Sequence, residues 1–146
     1  MSRRQAREAA LQALFQLDFN CPDLEEQREA YETLAIDAAM EEAEGKPLTK
    51  KDRRYIESTV LGTRSHLSEI DQLIGAHAKG WSIDRMAAVD RNLARLAVYE
   101  MRFAEEKLAP GIAINEAVEL AKKFGTDESG RYINGILNAL IKKQAD

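Results

Sequence analysis

The sequence predicts an all-α fold, and three observations support this. Residues that favour helices, such as alanine, leucine, glutamate and lysine, dominate the composition, and runs of β-branched residues are nearly absent. Only three prolines occur in 146 residues, and apolar side chains recur at helical spacing in one segment after another. We therefore expect a compact bundle of about six or seven helices and no sheet. This length suits one hydrophobic core, so residues 1–146 are predicted to form a single domain.

The first helix is predicted to bury a stripe that includes Ala6, Ala10 and Leu17, and to end near Asn20 because Pro22 follows. Its first turn also holds three arginines. The positive end of a helix dipole prefers acidic side chains, so these arginines work against the helix and indicate a use for their charge, such as binding an anion. A solvated, fraying terminus is the alternative. The arginines are Arg3, Arg4 and Arg7.

The remaining helices are predicted in order along the chain. A glutamate-rich amphipathic segment spans residues 24–44, and a helix capped by Thr49 runs from Lys50 to Ala78. Apolar side chains surround most of the helix that starts at Asp90, which is therefore predicted to be the central buried element. Two further helices are expected, over residues 114–124 and beyond Gly125, the latter capped by Thr126 or Asp127.

The distribution of charge limits the kinds of ligand. A net charge of −4 argues against a general nucleic-acid coat, which would be basic over most of its surface. Basic residues nevertheless cluster at 3–7, whereas residues 23–44 are acidic. A localised anion site therefore remains open.

Cysteine content and hydropathy predict a cytoplasmic protein. Cys21 is the only cysteine, so an intrachain disulfide is impossible and a reducing compartment is favoured. The two arginines near the start are not followed by the uninterrupted apolar run of an export signal. No stretch approaches the roughly 20 apolar residues of a membrane span.

Motifs for catalysis, metals and cofactors are not found in the sequence. It has no phosphate-binding loop and no glycine-rich dinucleotide motif. His66 and His77 lack the ligand spacing of a zinc site, and Cys21 has no nearby base in the sequence. A helix-turn-helix DNA reader is disfavoured, because Asp127 and Glu128 at the start of the last helix would repel phosphates. We expect no enzymatic activity and no cofactor.

Several segments together carry a family resemblance. Residues 89–100 read VDRNLARLAVYE, residues 113–122 read AINEAVELAK before Phe124-Gly125, and residues 132–137 read YINGIL. The arginine-rich start, RRQARE at 3–8 and ALQAL at 10–14, belongs to the same pattern. In this order the segments resemble the signature of the NusB family of transcription antitermination factors. The match covers nearly the whole chain apart from residues 22–47.

The resemblance implies two small packed helical subdomains without catalytic activity. Family members bind the single-stranded boxA RNA element jointly with NusE, a small-subunit ribosomal protein. With other Nus factors they assemble a processive complex on RNA polymerase, notably on ribosomal RNA operons. The nearest rival within the resemblance is the NusB-like domain of certain RNA cytosine methyltransferases, which is followed by a large catalytic domain; we expect no such domain here.

Two sets of site residues are expected, one for RNA and one for NusE. Phe15 stands where many relatives carry tyrosine, and Tyr132 stands where phenylalanine is common; core packing is an equal alternative for Tyr132.

A protein-only adaptor without RNA binding is the alternative function, and the choice between monomer and homodimer stays open. RNA contacts are expected at Arg3, Arg4, Arg7, Phe15, Arg131 and Tyr132. Contacts with NusE are expected at Asp90, Arg91 and Arg95, as the exposed side of the central helix, with an intramolecular salt bridge or helix cap as the alternative.

Overall fold

A computed structural model describes residues 2–20, 25–78 and 83–145, with side chains at 4–19, 26–78 and 83–142. These ranges hold seven α-helices, a short 3-10 turn, a π-helical segment and no strand. The all-α prediction is therefore confirmed. The helices are α1 Ser2–Asn20, α2 Glu25–Glu42, α3 Lys50–Ser65, α4 Leu67–His77, α5 Ala88–Val98, α6 Pro110–Phe124 and α7 Ser129–Ala145.

Two compact units divide the chain, Met1–Gly62 and Thr63–Asp146. They correspond to the two helical subdomains that the family resemblance implies. In the first unit α1 packs against α2. The buried face of α1 consists largely of alanines, whose small side chains allow another helix to approach closely. This face is formed by Ala6, Ala9, Ala10, Leu11, Ala13, Leu14 and Leu17.

The start of α3 follows the prediction, but its end does not. Thr49 and Asp52 form a capping box, in which Asp52 N donates to Thr49 Oγ1 at 3.1 Å and Thr49 N donates to Asp52 Oδ2 at 2.9 Å. The single helix predicted over residues 50–78 is in fact two helices, separated at His66, whose φ of −107° and ψ of 17° interrupt the helical path. The His66 ring lies 4.7 Å from the Phe103 ring, centroid to centroid, so a tertiary contact accompanies the break.

The second unit is built around α5. Every residue from Asn92 to Met101 is buried, and α5 contacts α4, α6 and α7, so the prediction of a central buried helix is confirmed. The alternative that Asp90 caps this helix is wrong, because α5 begins at Ala88 with Ala87 as its N-cap. After Val98 the chain continues as a π-helical segment, Tyr99–Phe103.

The turn between α6 and α7 requires a glycine. Gly125 ends α6, with its N–H donating to Ala121 O at 2.8 Å. A Cβ at this position would lie 2.5 Å from Ser129 Oγ and 2.9 Å from Ala121 O. Ser129 Oγ in turn accepts a hydrogen bond from the N–H of Thr126 at 2.9 Å, which makes Thr126 the cap of the turn that leads into α7.

Candidate functional site

The basic start of α1 contains arginines in different environments. Arg4 is exposed, whereas Arg7 retains only 6% of its accessible surface. The guanidinium carbon of Arg7 lies 5.8 Å from the centroid of the Tyr55 ring on α3, within the range of a cation–π interaction. The side chain of Arg3 lies outside the described residues. Arg4 therefore lies at the surface of α1, while Arg7 packs beside Tyr55 of α3.

A tether that the sequence did not suggest holds the first turn of α1. Gln5 Nε2 donates to the backbone oxygens of Glu44, at 2.5 Å, and Lys46, at 2.7 Å. Gly45 lies between these two acceptors with a φ of +98°, a region that favours glycine. The connection between α2 and α3, with its exposed Lys46, is thus fixed beside the basic turn.

The arginine of α3 that follows the capping box is already engaged. Arg53 donates from Nη2 to Asp37 Oδ1 and from Nε to Glu57 Oε1, both at 2.6 Å. The hydrogen bond to Asp37, followed by the one to Glu57, raises the pKa of Arg53 above its usual range. This cation links α3 to the acidic α2, and two carboxylates balance its charge.

Phe15 lies on the exposed side of α1. Its relative exposure is 36%, and its ring meets that of Phe19 edge to face, with centroids 5.2 Å apart and an interplanar angle of 63°. An aromatic surface therefore accompanies the basic turn on α1. Phe15 was expected to contact RNA and Phe19 was not, although their spacing of four residues places both on one face.

In the second unit, Tyr132 is half-buried, with its hydroxyl end pointing inward. Neither Tyr132 Oη nor Asp90 Oδ1 has a hydrogen-bond partner within residues 2–20, 25–78 and 83–145, although both atoms are buried. Burial raises the pKa of the Tyr132 phenol above its usual value, and the charge of Asp90 raises it further. Packing thus occupies part of the ring that was expected to serve as an RNA platform. Arg131 beside it is exposed.

The expectation that Arg95 lies on the exposed side of the central helix is wrong. Arg95 retains 8% of its accessible surface and forms a bidentate ion pair, with Nε 2.8 Å from Asp71 Oδ1 and Nη2 2.9 Å from Asp71 Oδ2. Arg91 is half-buried and donates from Nη1 to Ile83 O at 3.1 Å and Met86 O at 3.2 Å. Both arginines of α5 thus make contacts within the second unit. For Arg95 the alternative of an internal salt bridge is confirmed.

The described residues also bear on metal binding and on membrane insertion. No group of three or more histidine, cysteine, aspartate or glutamate side chains is arranged to hold a metal ion there. None of the described helices combines the length and the apolar character needed to cross a membrane.

Comparisons with known proteins agree with the family resemblance. The model of the NusB family matches residues 4–142. The chain is 43% identical over 141 residues to the transcription antitermination protein NusB of Bdellovibrio bacteriovorus, an alignment that covers 97% of this chain and 96% of that relative.

Solved structures with the same fold include the NusB of T. maritima, with a TM-score of 0.79 and 34% identity over 97% of this chain and 91% of that one. A crystal structure of antitermination factors NusB and NusE in complex with double-stranded RNA matches with a TM-score of 0.80 and 30% identity, covering 97% of each chain.

Proposed function

Since the chain belongs to the NusB family, we propose that it is a transcription antitermination factor that binds single-stranded boxA RNA together with NusE. Further Nus factors and RNA polymerase complete the complex, notably on ribosomal RNA operons. Two similarities support this proposal: a relative named as an antitermination protein, and a neighbouring structure that contains NusB, NusE and RNA. The observation that carries it in this chain is the exposed Arg4 in a first helical turn tethered through Gln5.

The basic turn supplies the electrostatic part of binding. Arg4, with Arg3 next to it in the sequence, contacts RNA phosphates or stacks on unpaired bases. Arg7 supports this contact indirectly, since it is packed beside Tyr55. The tether from Gln5 reduces the conformational freedom that the turn loses on binding, which favours affinity.

The rest of the surface explains why a second protein takes part. The chain carries a net charge of −4, so long-range attraction for RNA is weak. NusE, a ribosomal protein, would complete the site and add cations of its own. We assign NusE contact to Asp90 and Arg91, which are both half-buried. Arg95 stabilises α5 through its ion pair with Asp71. Exposed Arg131 and the open part of Tyr132 contribute a second RNA contact.

A titration separates this function from that of a protein-only adaptor. Fluorescence anisotropy of a labelled boxA RNA is measured with the protein alone, with NusE alone and with both. We expect the two proteins together to bind far more tightly than either one. No RNA binding by the mixture, with NusE still captured by this protein in a pull-down, would contradict the proposal and support the adaptor.

A further inference from the structure

The exposed side of α1 has an unusual composition for a helix surface. Its side chains recur every three or four residues, which places them in one stripe opposite the buried face. The stripe begins with a cation, continues with a carboxylate and an amide, and ends with two phenylalanines. From first to last residue it extends about 22 Å at 1.5 Å per residue. Its members are Arg4, Glu8, Gln12, Phe15 and Phe19.

Phe19 is the most exposed large apolar side chain of the described residues, at 64% relative exposure. Its edge-to-face contact with Phe15 fixes the two rings relative to each other at a centroid distance of 5.2 Å. Such a contact uses one edge or one face of a ring, so ring surface remains available for a ligand. Because so little of the Phe19 ring is buried, it contributes little to the stability of the fold, which points to a role in binding.

We propose that Phe19 is a base-stacking residue, and that single-stranded RNA lies along the stripe with bases on Phe15 and Phe19 and phosphates at Arg4. This deepens the proposed RNA-binding function and depends on it. Proteins that bind single strands combine cations for the backbone with aromatic rings on which successive bases stack. The stripe contains both kinds of group on one continuous helix face.

The composition of the stripe favours RNA over a protein occupant. A helix that docks into a groove of a protein partner uses an apolar face with anchors repeated every three or four residues. In the stripe only Phe15 and Phe19 are apolar, and the other three members are charged or polar. Glutamines are common contacts for base edges and sugar hydroxyls, and Gln12 occupies the middle. Glu8 is half-buried and has an interaction partner within the chain.

Substitutions at Phe19 test the assignment in the complete chain, with NusE present and boxA RNA as the probe. Phe19→Ala and Phe19→Leu should both weaken binding, by about 5- to 150-fold, because stacking on one base is lost. Phe19→Trp should restore it. The dependence of affinity on salt should stay as in the wild type, since no cation is removed. The matched control is Leu34→Ala, which removes a 62% exposed apolar side chain from α2 and should leave binding unchanged.

The outcomes distinguish this assignment from the proposed function. Wild-type protein that binds RNA, with Phe19→Leu binding equally well, overturns the role of Phe19 alone. Absence of RNA binding by the wild type overturns both. Sedimentation velocity compares the oligomeric states of the wild type and Phe19→Ala. If the substitution converts a dimer to a monomer while RNA affinity is unchanged, the stripe is a self-association surface and the assignment fails.

Discussion

Arg95 and Asp71 form a bidentate ion pair in the second unit, with N–O distances of 2.8 and 2.9 Å and side-chain exposures of 9% and 23%. Removing one partner of a buried pair leaves the other charge uncompensated, at a cost of about 3–5 kcal/mol. We expect Arg95→Ala to lower the free energy of unfolding by an amount near the lower end of that range, since Asp71 is partly exposed. Urea denaturation measures this loss.

The control is the exposed pair Lys122–Glu119, whose Nζ–Oε1 distance is 3.3 Å. Lys122→Ala should change the free energy of unfolding by less than about 1 kcal/mol. The folded fraction of Arg95→Ala should still bind NusE, because we assign that contact to Asp90 and Arg91 and not to the buried Arg95. A stable Arg95→Ala variant that has lost NusE binding would show instead that Arg95 belongs to the interface.

Tyr132→Phe should leave the protein equally stable or stabilise it by about 1 kcal/mol at neutral pH. The substitution removes a buried hydroxyl that has no hydrogen-bond partner among the described residues, and an unsatisfied buried group costs about 1–3 kcal/mol. Urea denaturation of the two proteins at pH 7 gives the comparison. A loss of more than about 1 kcal/mol would mean that the hydroxyl makes a stabilising bond.

The same residue predicts how stability changes at alkaline pH. The pKa of Tyr132 is raised in the folded protein, by burial and by Asp90, so the folded state holds this proton more tightly than the unfolded state. The contribution of the protonated Tyr132 phenol to the free energy of unfolding is fully present below the unfolded pKa of about 10. This contribution is lost as the pH rises through the folded pKa. Tyr132→Phe should therefore lose less stability than the wild type between about pH 9 and 11. Equal losses would contradict this.

Gly125→Ala should destabilise the protein by about 1–3 kcal/mol, as overpacking commonly does. The added Cβ would meet Ser129 Oγ at 2.5 Å and disturb the hydrogen bond from Thr126 that starts the turn into α7. Gly135 within α7 is a matched control, because nothing lies within 4 Å of a Cβ placed there. Gly135→Ala should raise the melting temperature, because alanine is more favourable than glycine by about 1 kcal/mol in the interior of a helix. A Gly125→Ala variant as stable as Gly135→Ala would refute the close approach.

Gln5→Ala should weaken RNA binding in the presence of NusE while leaving the salt dependence of binding unchanged. The substitution removes two hydrogen bonds to the connection between α2 and α3 without removing a charge. Each bond is worth about 0.5–1.5 kcal/mol, so a several-fold effect is expected if the tether orders the basic turn. Gln16→Ala, on an exposed position of the same helix, is the control. Equal affinities of the two variants would show that the tether does not contribute.

Features determined by neighbouring residues in the sequence could be predicted from it. The buried stripe of α1 follows from its 3.6-residue period, and the Thr49–Asp52 capping box follows from two side chains three residues apart. The break at His66 could not be predicted, because it accompanies a ring contact with Phe103, 37 positions further along the chain. Local propensity gives no indication of such a contact.

Charged positions of the candidate site were harder to interpret. The helical period places Arg95 on a polar stripe of its helix. It does not show that Asp71, 24 residues earlier in the chain, forms an ion pair with Arg95. The same limitation applies to Gln5, whose acceptors at Glu44 and Lys46 come from a segment that appeared only as a break in the helices. Tertiary pairing thus decides which polar residues remain available for a ligand.

The most direct test of the account is the salt dependence of boxA RNA binding in the presence of NusE, compared between the wild type and Arg4→Ala. Three to five cationic contacts to a single strand correspond to a slope of roughly −2 to −4 in a log–log plot of affinity against salt. We expect Arg4→Ala to weaken binding and to make the slope shallower by about 0.7, the contribution of one phosphate contact. Unchanged affinity and an unchanged slope would contradict the assignment of the basic turn of α1 as an RNA contact.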